Sequence, residues 1–120
     1  MPTYSKLHLS GSTGGQPIKI SANASSGNLI HTTGTSASVI DEVWLYATNT
    51  SASAVTLTVE YGGVTNPDNR IILSIPATSG LTLVLPGLTL SGTGSAGREV
   101  RVFAGTGSVV NVVGYVNRVA

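Results

Sequence analysis

The sequence predicts an all-β protein: an antiparallel two-sheet β-sandwich, jelly-roll-like, with about eight or nine strands. Short apolar runs recur at intervals of about ten residues between clusters of Gly, Ser, Thr, Asn and Pro, which is typical of a sandwich or barrel. No stretch has the apolar spacing of an amphipathic helix. The 120 residues suffice for one core, so we expect a single domain over 1–120, with 1–12 as a candidate extended N-terminal arm.

The strands are assigned along the chain from the alternation of apolar and polar residues. In the second strand Ile18 and Ile20 flank Lys19, and in the fifth Val55 and Leu57 alternate with Thr residues, so each strand should bury one face. In chain order the predicted strands are Ser5–Leu9, Pro17–Ala22, Leu29–Thr32, Asp41–Asn49, Ala54–Tyr61, Arg70–Ile75, Leu81–Leu85, Arg98–Ala104 and Val109–Arg118.

Three of these strands, the fourth, eighth and ninth, break the alternation. In Val43–Ala47, Val100–Ala104 and Val109–Val116, apolar or aromatic residues occupy both faces. A sandwich strand with one face in water does not have this composition. Another layer of the chain or another subunit must then cover the second face, and in a chain this small we favour a subunit contact. The alternative is that Trp44 and Tyr46 pack beneath the N-terminal segment.

The composition favours a protein that works in an assembly. Charged residues make up 9% of the chain, against about 25% in an average soluble protein, and the net charge is +1. So little charge gives little repulsion between copies. The six basic residues are scattered, so we expect no nucleic-acid partner. No apolar run approaches the roughly 20 residues of a membrane span, so we expect no membrane partner either.

No residue pattern predicts a catalytic or metal site. The two histidines, His8 and His31, are predicted to face outward from strands, and the acidic residues lie at no spacing that would complete a metal site. The adjacent pair Asp41–Glu42 should point to opposite faces of a strand. A Ser/His/Asp triad could be drawn only by free choice among 15 serines, so the chain is not predicted to be an enzyme.

One short segment fits a nucleotide-binding motif without its structural context. Gly92–Gly97 satisfies G-x-G-x-x-G, which binds a pyrophosphate only where it opens a helix. The run that follows, Arg98–Phe103, alternates like a strand. We therefore expect no cofactor.

Four segments carry a resemblance to a known group of proteins: Lys6–Ser12, Gly15–Ile20, Asp41–Asn49 and Gly114–Arg118. Through them nearly the whole chain resembles a widespread group of small structural proteins of tailed bacteriophages. These proteins are similar in role to head decoration, or cement, proteins, which attach in many copies, often as trimers, to the outside of a capsid. The resemblance implies a virion structural protein, made in the host cytoplasm and located on the capsid surface, where it binds the major capsid protein and stabilises the shell.

The apolar strands fit that implied role. A cement protein adds contact area across capsomer boundaries, and many modest contacts then act together. We hypothesise that the doubly apolar strands form the interface of a homo-oligomer, with a trimer favoured, while residues 2–12 and Tyr115–Arg118 help to reach the shell. The hypothesised oligomer or capsid interface comprises Trp44, Tyr46, Phe103, Val110, Val112, Val116, Tyr115 and Arg118.

Two other functions stay open on the sequence. A carbohydrate-binding module is one, because β-sandwiches can present aromatic planes to sugars, and a solvent-exposed Trp44 would favour it. Another virion component, such as a head-fibre, head-completion or tail protein, is the other. The sequence does not separate these components from a cement protein.

Overall fold

The computed structural model describes residues 3–120, and every regular element in that range is a β-strand. Nine strands form two antiparallel sheets, which confirms the predicted β-sandwich. In chain order they are β1 (Tyr4–His8), β2 (Ile18–Lys19), β3 (Asn28–Thr32), β4 (Ile40–Asn49), β5 (Val55–Tyr61), β6 (Arg70–Ile75), β7 (Ser79–Ser91), β8 (Glu99–Ala104) and β9 (Val110–Val119).

The strand order is that of a jelly roll. One sheet has five strands in the order β1-β9-β4-β7, with β2 also paired to β9, and the other has four in the order β3-β8-β5-β6. Apart from the step from β1 to β2 and the β5–β6 hairpin, each strand is followed by one in the opposite sheet. The chain therefore wraps around its own core, as jelly-roll domains do.

The core lies between the sheets and is built from alternate strand positions. In β4 the odd-numbered residues from 41 to 49 are buried, while in β9 the buried residues are 110, 112 and 116. Apart from Asp41 and Asn49, these residues are aliphatic. Burial of each large aliphatic side chain contributes about 1.5–3 kcal/mol, so this layer is the main source of stability. The apolar residues at the intervening positions of β4 and β9 lie on the outer face of the five-stranded sheet.

Two strands differ in length from the prediction. β2 covers only Ile18–Lys19, and β7 continues well past Leu85, to Ser91. β7 can run through Pro86 because it is an edge strand, where the missing N–H of proline leaves no bond unmade. Next to it Gly87 has a φ of 79°, a conformation that favours glycine, close to a shift in the register with β4.

The N-terminal segment is part of the sheet and not a free arm. Residues 4–8 pair with β9, with Tyr4 opposite Val119 and His8 opposite Tyr115. Of the candidate arm 1–12, Met1 and Pro2 lie outside the described residues. The described part forms an edge strand and the loop after it, which brings the Lys6 side chain onto the outer face of the five-stranded sheet.

Candidate functional site

A row of packed side chains crosses the outer face of the five-stranded sheet. The rings of Trp44 on β4 and Tyr115 on β9, which are opposite in register, lie 6.2 Å apart at their centroids and within 12° of parallel. The Lys6 ammonium lies 4.9 Å from the centroid of the Tyr115 ring. On β7, a Cβ at Gly87 would lie 2.8 Å from the indole Cζ2. The aromatic faces are therefore occupied by stacking and cation–π contacts within the row.

These contacts leave Trp44 half-buried. The indole is held by Tyr115, by the backbone at Gly87 and by a hydrogen bond from its own Nε1. Trp44 is thus not the open aromatic plane that would have favoured a sugar platform centred on this residue.

A carboxylate beside the row is fixed in place by the same indole. Trp44 Nε1 donates to Glu42 Oε1 over 2.6 Å, and Asn117 Nδ2 donates to the same oxygen over 3.2 Å. The hydrogen bond from Trp44, together with that from Asn117, lowers the pKa of Glu42, so the side chain is ionised at neutral pH. Both bonds fall on Oε1, which leaves Oε2 as a free acceptor within the described part of the chain.

An open pocket adjoins this carboxylate, where β1, β9 and β4 lie side by side. It has a volume of about 430 Å³, within the range of small-molecule sites. Tyr4 on β1 is 75% exposed and contributes an aromatic side chain to the lining. The lining residues are Tyr4, Ser5, Lys6, Glu42, Asn117, Arg118 and Val119.

The opposite side of the same face is apolar. Leu81 and Leu83 on the edge strand β7 are 65% and 46% exposed, and Leu83 lies opposite the half-buried Tyr46 of β4. We call Tyr46, Leu81 and Leu83 the leucine patch. Among residues 3–120, β7 pairs with β4 alone, so its other edge also carries unpaired backbone groups. Exposed edge strands of this kind offer unpaired groups that another chain can pair with.

The hypothesised interface does not form one surface. Val110, Val112 and Val116 are fully buried in the core of the chain, so the interface hypothesis is corrected for these three residues. Along β9 these buried positions alternate with Val113 and Tyr115, whose side chains lie on the outer face of the sheet. The run of apolar residues in β9 therefore serves the core and the outer face in turn.

Phe103 lies on the other side of the molecule from Trp44, Tyr46 and Tyr115. It belongs to β8, in the four-stranded sheet, and its ring lies 5.2 Å from the guanidinium carbon of Arg70. Because the two sheets face each other through the core, outward residues of β8 and β4 are on opposite surfaces. A single flat contact cannot use Phe103 and Trp44 together.

Arg118 joins a charged cluster, centred on the buried Asp41, that links the two sheets. Its Nε and Nη2 donate to the two carboxylate oxygens of Asp41 over 2.7 and 2.9 Å, and His31 Nε2 lies 2.8 Å from Asp41 Oδ2. Asp41 is fully buried on β4, Arg118 is on β9, and His31 is on β3 of the other sheet. Two nitrogens of the Arg118 guanidinium are thus bonded within the chain, while 28% of the side chain stays exposed.

His31 corrects the prediction of two outward-facing histidines. His8 is exposed, but His31 is 1% exposed because a register shift between Leu29 and His31 turns two consecutive residues, Ile30 and His31, inward. The backbone N–H of Ser10 donates to its Nδ1 over 3.1 Å, so the proton of the neutral ring is on Nε2, toward Asp41. Both ring nitrogens are satisfied inside the fold.

Residues 3–120 contain no group of three or more His, Cys, Asp or Glu side chains placed to hold a metal ion. The same residues contain no helix long and apolar enough to cross a bilayer. Asp41 points into the core and Glu42 to the outer face, as the alternation of a strand predicts.

The polar pocket and the leucine patch were not predicted from the sequence. Lys6, Glu42 and Asn117 are spaced along three strands, and each has the strand parity of the outer face. That parity indicates that the three side chains share a face of the sheet. Whether they lie close together depends on the pairing of β1, β4 and β9. Leu81 and Leu83 lay in a predicted strand, and nothing in its local pattern marked that strand as an edge.

Comparisons with known proteins identify no relative. No family model matches the chain, and no curated protein or solved structure is significantly similar to it. The chemistry of the surfaces described above is therefore the basis for assigning a function.

Proposed function

We propose that this protein is a virion structural subunit that decorates the outside of a tailed-phage capsid and stabilises the shell. It acts as a homo-oligomer, with a trimer favoured, and it binds the major capsid protein on the capsid surface. The role needs no catalytic group, cofactor, nucleic acid or membrane. A head-fibre, head-completion or tail protein would use the same kind of surface, and the capsid test below separates these roles.

The observation that carries the proposal is the leucine patch beside an open strand edge. Leu81 exposes most of its side chain, and Leu83 exposes about half. Charged residues make up only 9% of the chain. An apolar edge with so little charge around it favours association with another copy, because burial removes the leucines from water and pairs backbone groups of β7. The resemblance to small phage structural proteins supports the choice of a virion as the setting.

A jelly roll is suited to this work because its core is independent of the contacts it makes. The buried aliphatic layer and the Asp41 cluster hold the fold, while the leucine patch stays available on the outer face. Contacts of modest strength, repeated over many copies of a lattice, then resist opening of the shell together.

Replacing Leu83 with Ser should weaken self-association by roughly three- to tenfold, because only the 46% of the side chain that is exposed can be buried in the contact, which contributes about half of the 1.5–3 kcal/mol of a whole leucine. The fold should persist, since Leu83 lies on the outer face and not in the core. Sedimentation velocity over a range of protein concentrations measures the association, and circular dichroism checks the fold.

Ile72→Ser is the matched control for that substitution. Ile72 is 60% exposed on the edge strand β6 of the four-stranded sheet, so the change removes a similar apolar side chain from a different surface. The control should associate like the wild type. If Leu83→Ser associates as strongly as the wild type, or if both variants lose self-association equally, the leucine patch is not the contact between copies.

The decoration role is tested with empty capsids of the phage that encodes the protein. The wild-type oligomer should co-sediment with the shells in a saturable manner and raise the temperature at which they open. Binding to isolated tails in place of shells would assign the protein to another virion position. No binding to shells or tails would contradict a virion role.

A further inference from the structure

We propose that the pocket lined by Tyr4, Lys6, Glu42 and Asn117 binds a neutral saccharide. This function goes beyond the proposed role in the capsid and does not depend on it, because every lining residue belongs to one chain. The site is an open pocket of about 430 Å³ with one exposed aromatic side chain and a small set of convergent polar groups. That combination is the usual composition of a small-molecule site.

The charge of the pocket selects the class of ligand. Lys6 contributes a positive charge and Glu42 a negative one, while the third charged group, Arg118, is neutralised by its two bonds to Asp41. With the charges of the lining balanced, neither an anion nor a cation gains a net attraction. An uncharged ligand with several hydroxyl groups satisfies both sides, since a hydroxyl can donate to a carboxylate and accept from an ammonium.

The two charged groups are already held in position. Glu42 receives bonds from Trp44 and Asn117 on Oε1, which leaves Oε2 for a ligand hydroxyl. The Lys6 ammonium is placed 4.9 Å from the Tyr115 ring centroid by the cation–π contact. Fixing these side chains before binding reduces the entropy that a ligand contact would otherwise cost.

Tyr4 supplies the apolar side of the site. Whereas Trp44 and Tyr115 use ring faces within the stacked row, Tyr4 is 75% exposed beside the polar groups. Sugar rings have C–H-rich faces that pack against an aromatic plane while their hydroxyls reach polar partners. We therefore place the sugar ring against Tyr4, with neighbouring hydroxyls on Glu42 Oε2 and the Lys6 ammonium.

Trp44 is the only tryptophan in the chain, and its Nε1–H is bonded to Glu42, so it reports directly on the site. The wild-type protein is titrated with maltose, cellobiose, lactose and mannobiose while Trp44 fluorescence and the NMR shift of the indole N–H are followed. At least one of these neutral disaccharides should give a saturable change in both signals, with a dissociation constant in the millimolar range or below.

Glu42→Gln and Tyr4→Ala should each weaken that binding by about tenfold or more, because each removes a ligand contact of roughly 1.5 kcal/mol. Glu42→Gln keeps an acceptor for the Trp44 bond, and thermal melting checks that both variants stay folded. Thr48→Ala, at a half-buried position near the other end of β4, should bind like the wild type. The Leu83→Ser variant should also retain saccharide binding, which separates this proposal from the assembly proposal.

Three results would overturn the saccharide site. The first is no saturable change with any of the four disaccharides. The second is unchanged binding in folded Glu42→Gln and Tyr4→Ala. The third is a preference for a charged sugar, tested with N-acetylneuraminic acid and glucosamine, because it would contradict the balance of charge in the lining.

Discussion

Replacing Asp41 with Asn should lower the free energy of unfolding by about 3 kcal/mol or more, a large part of the stability of a domain of this size. Asp41 is fully buried and accepts bonds from Arg118 and His31, which come from strands of both sheets. Asn keeps the size but has no charge, and its amide nitrogen would face the donors of Arg118 or His31. The guanidinium would then be left without its counterion at the end of the core.

Urea denaturation of wild type and Asp41→Asn at neutral pH measures the loss. Asp68→Asn is the matched control, because Asp68 is exposed in the β5–β6 loop and its replacement should change stability by less than about 0.5 kcal/mol. Equal stability of the wild type and Asp41→Asn would show that the cluster does not hold the sheets together.

The contribution of Asp41 should also depend on pH. Desolvation by burial acts to raise the pKa of Asp41, but the hydrogen bonds from Arg118 and His31 and the charge of Arg118 outweigh it, and the pKa lies below the usual value of 3.8. A lowered pKa means that the stabilisation is complete well above pH 3.8 and is lost as the pH falls through the folded-state pKa. The stability difference between wild type and Asp41→Asn should therefore shrink in acid, and a constant difference would contradict this assignment.

Gly114→Ala should lower the free energy of unfolding by about 3 kcal/mol or more, or prevent folding. A Cβ at residue 114 would lie 1.9 Å from the carbonyl oxygen of Trp44 and 3.1 Å from Leu45 Cα. Both atoms belong to the backbone of β4, so the clash can be relieved only by moving two central, paired strands apart. The stacked row of Trp44 and Tyr115 crosses the sheet at the same place and would be disturbed as well.

Gly80→Ala is the control for that change. Gly80 also lies in a strand of the five-stranded sheet, but a Cβ there would meet no atom within 4 Å. Thermal melting of both variants should find Gly80→Ala close to the wild type and Gly114→Ala strongly destabilised or unfolded. Similar melting temperatures for the two variants would contradict the close approach of β4 and β9.

The strands were predictable because each covers a short run in which buried and exposed residues alternate with a period of two. All nine predicted runs overlap the observed strands, and the alternation in β5 places Val55, Leu57 and Val59 in the core as expected. The alternation of residues within a strand was insufficient where the length of the strand depends on which strands it pairs with. β7 was predicted too short, since only its position at the edge of the sheet makes Pro86 acceptable within it.

The candidate sites depend on contacts between residues that are far apart in the sequence. Asp41 and Arg118 are 77 residues apart and meet because β4 pairs with β9, which no local pattern indicates. The bulge in β3 buries His31, and a strict period of two could not anticipate it. In β4 and β9 the apolar runs were recognised as unusual, but register was needed to divide them between the core and the outer face.

We propose that the protein works as an assembled subunit through the leucine patch, and a measurement of the solution mass of the wild-type chain can contradict this proposal. Light scattering on a sizing column, repeated over a wide range of concentrations, gives that mass without labels. We expect a stable multiple of the 12.1 kDa chain, with a trimer favoured, that Leu83→Ser reduces toward a single chain. A wild-type protein that stays at 12.1 kDa at every concentration would contradict it.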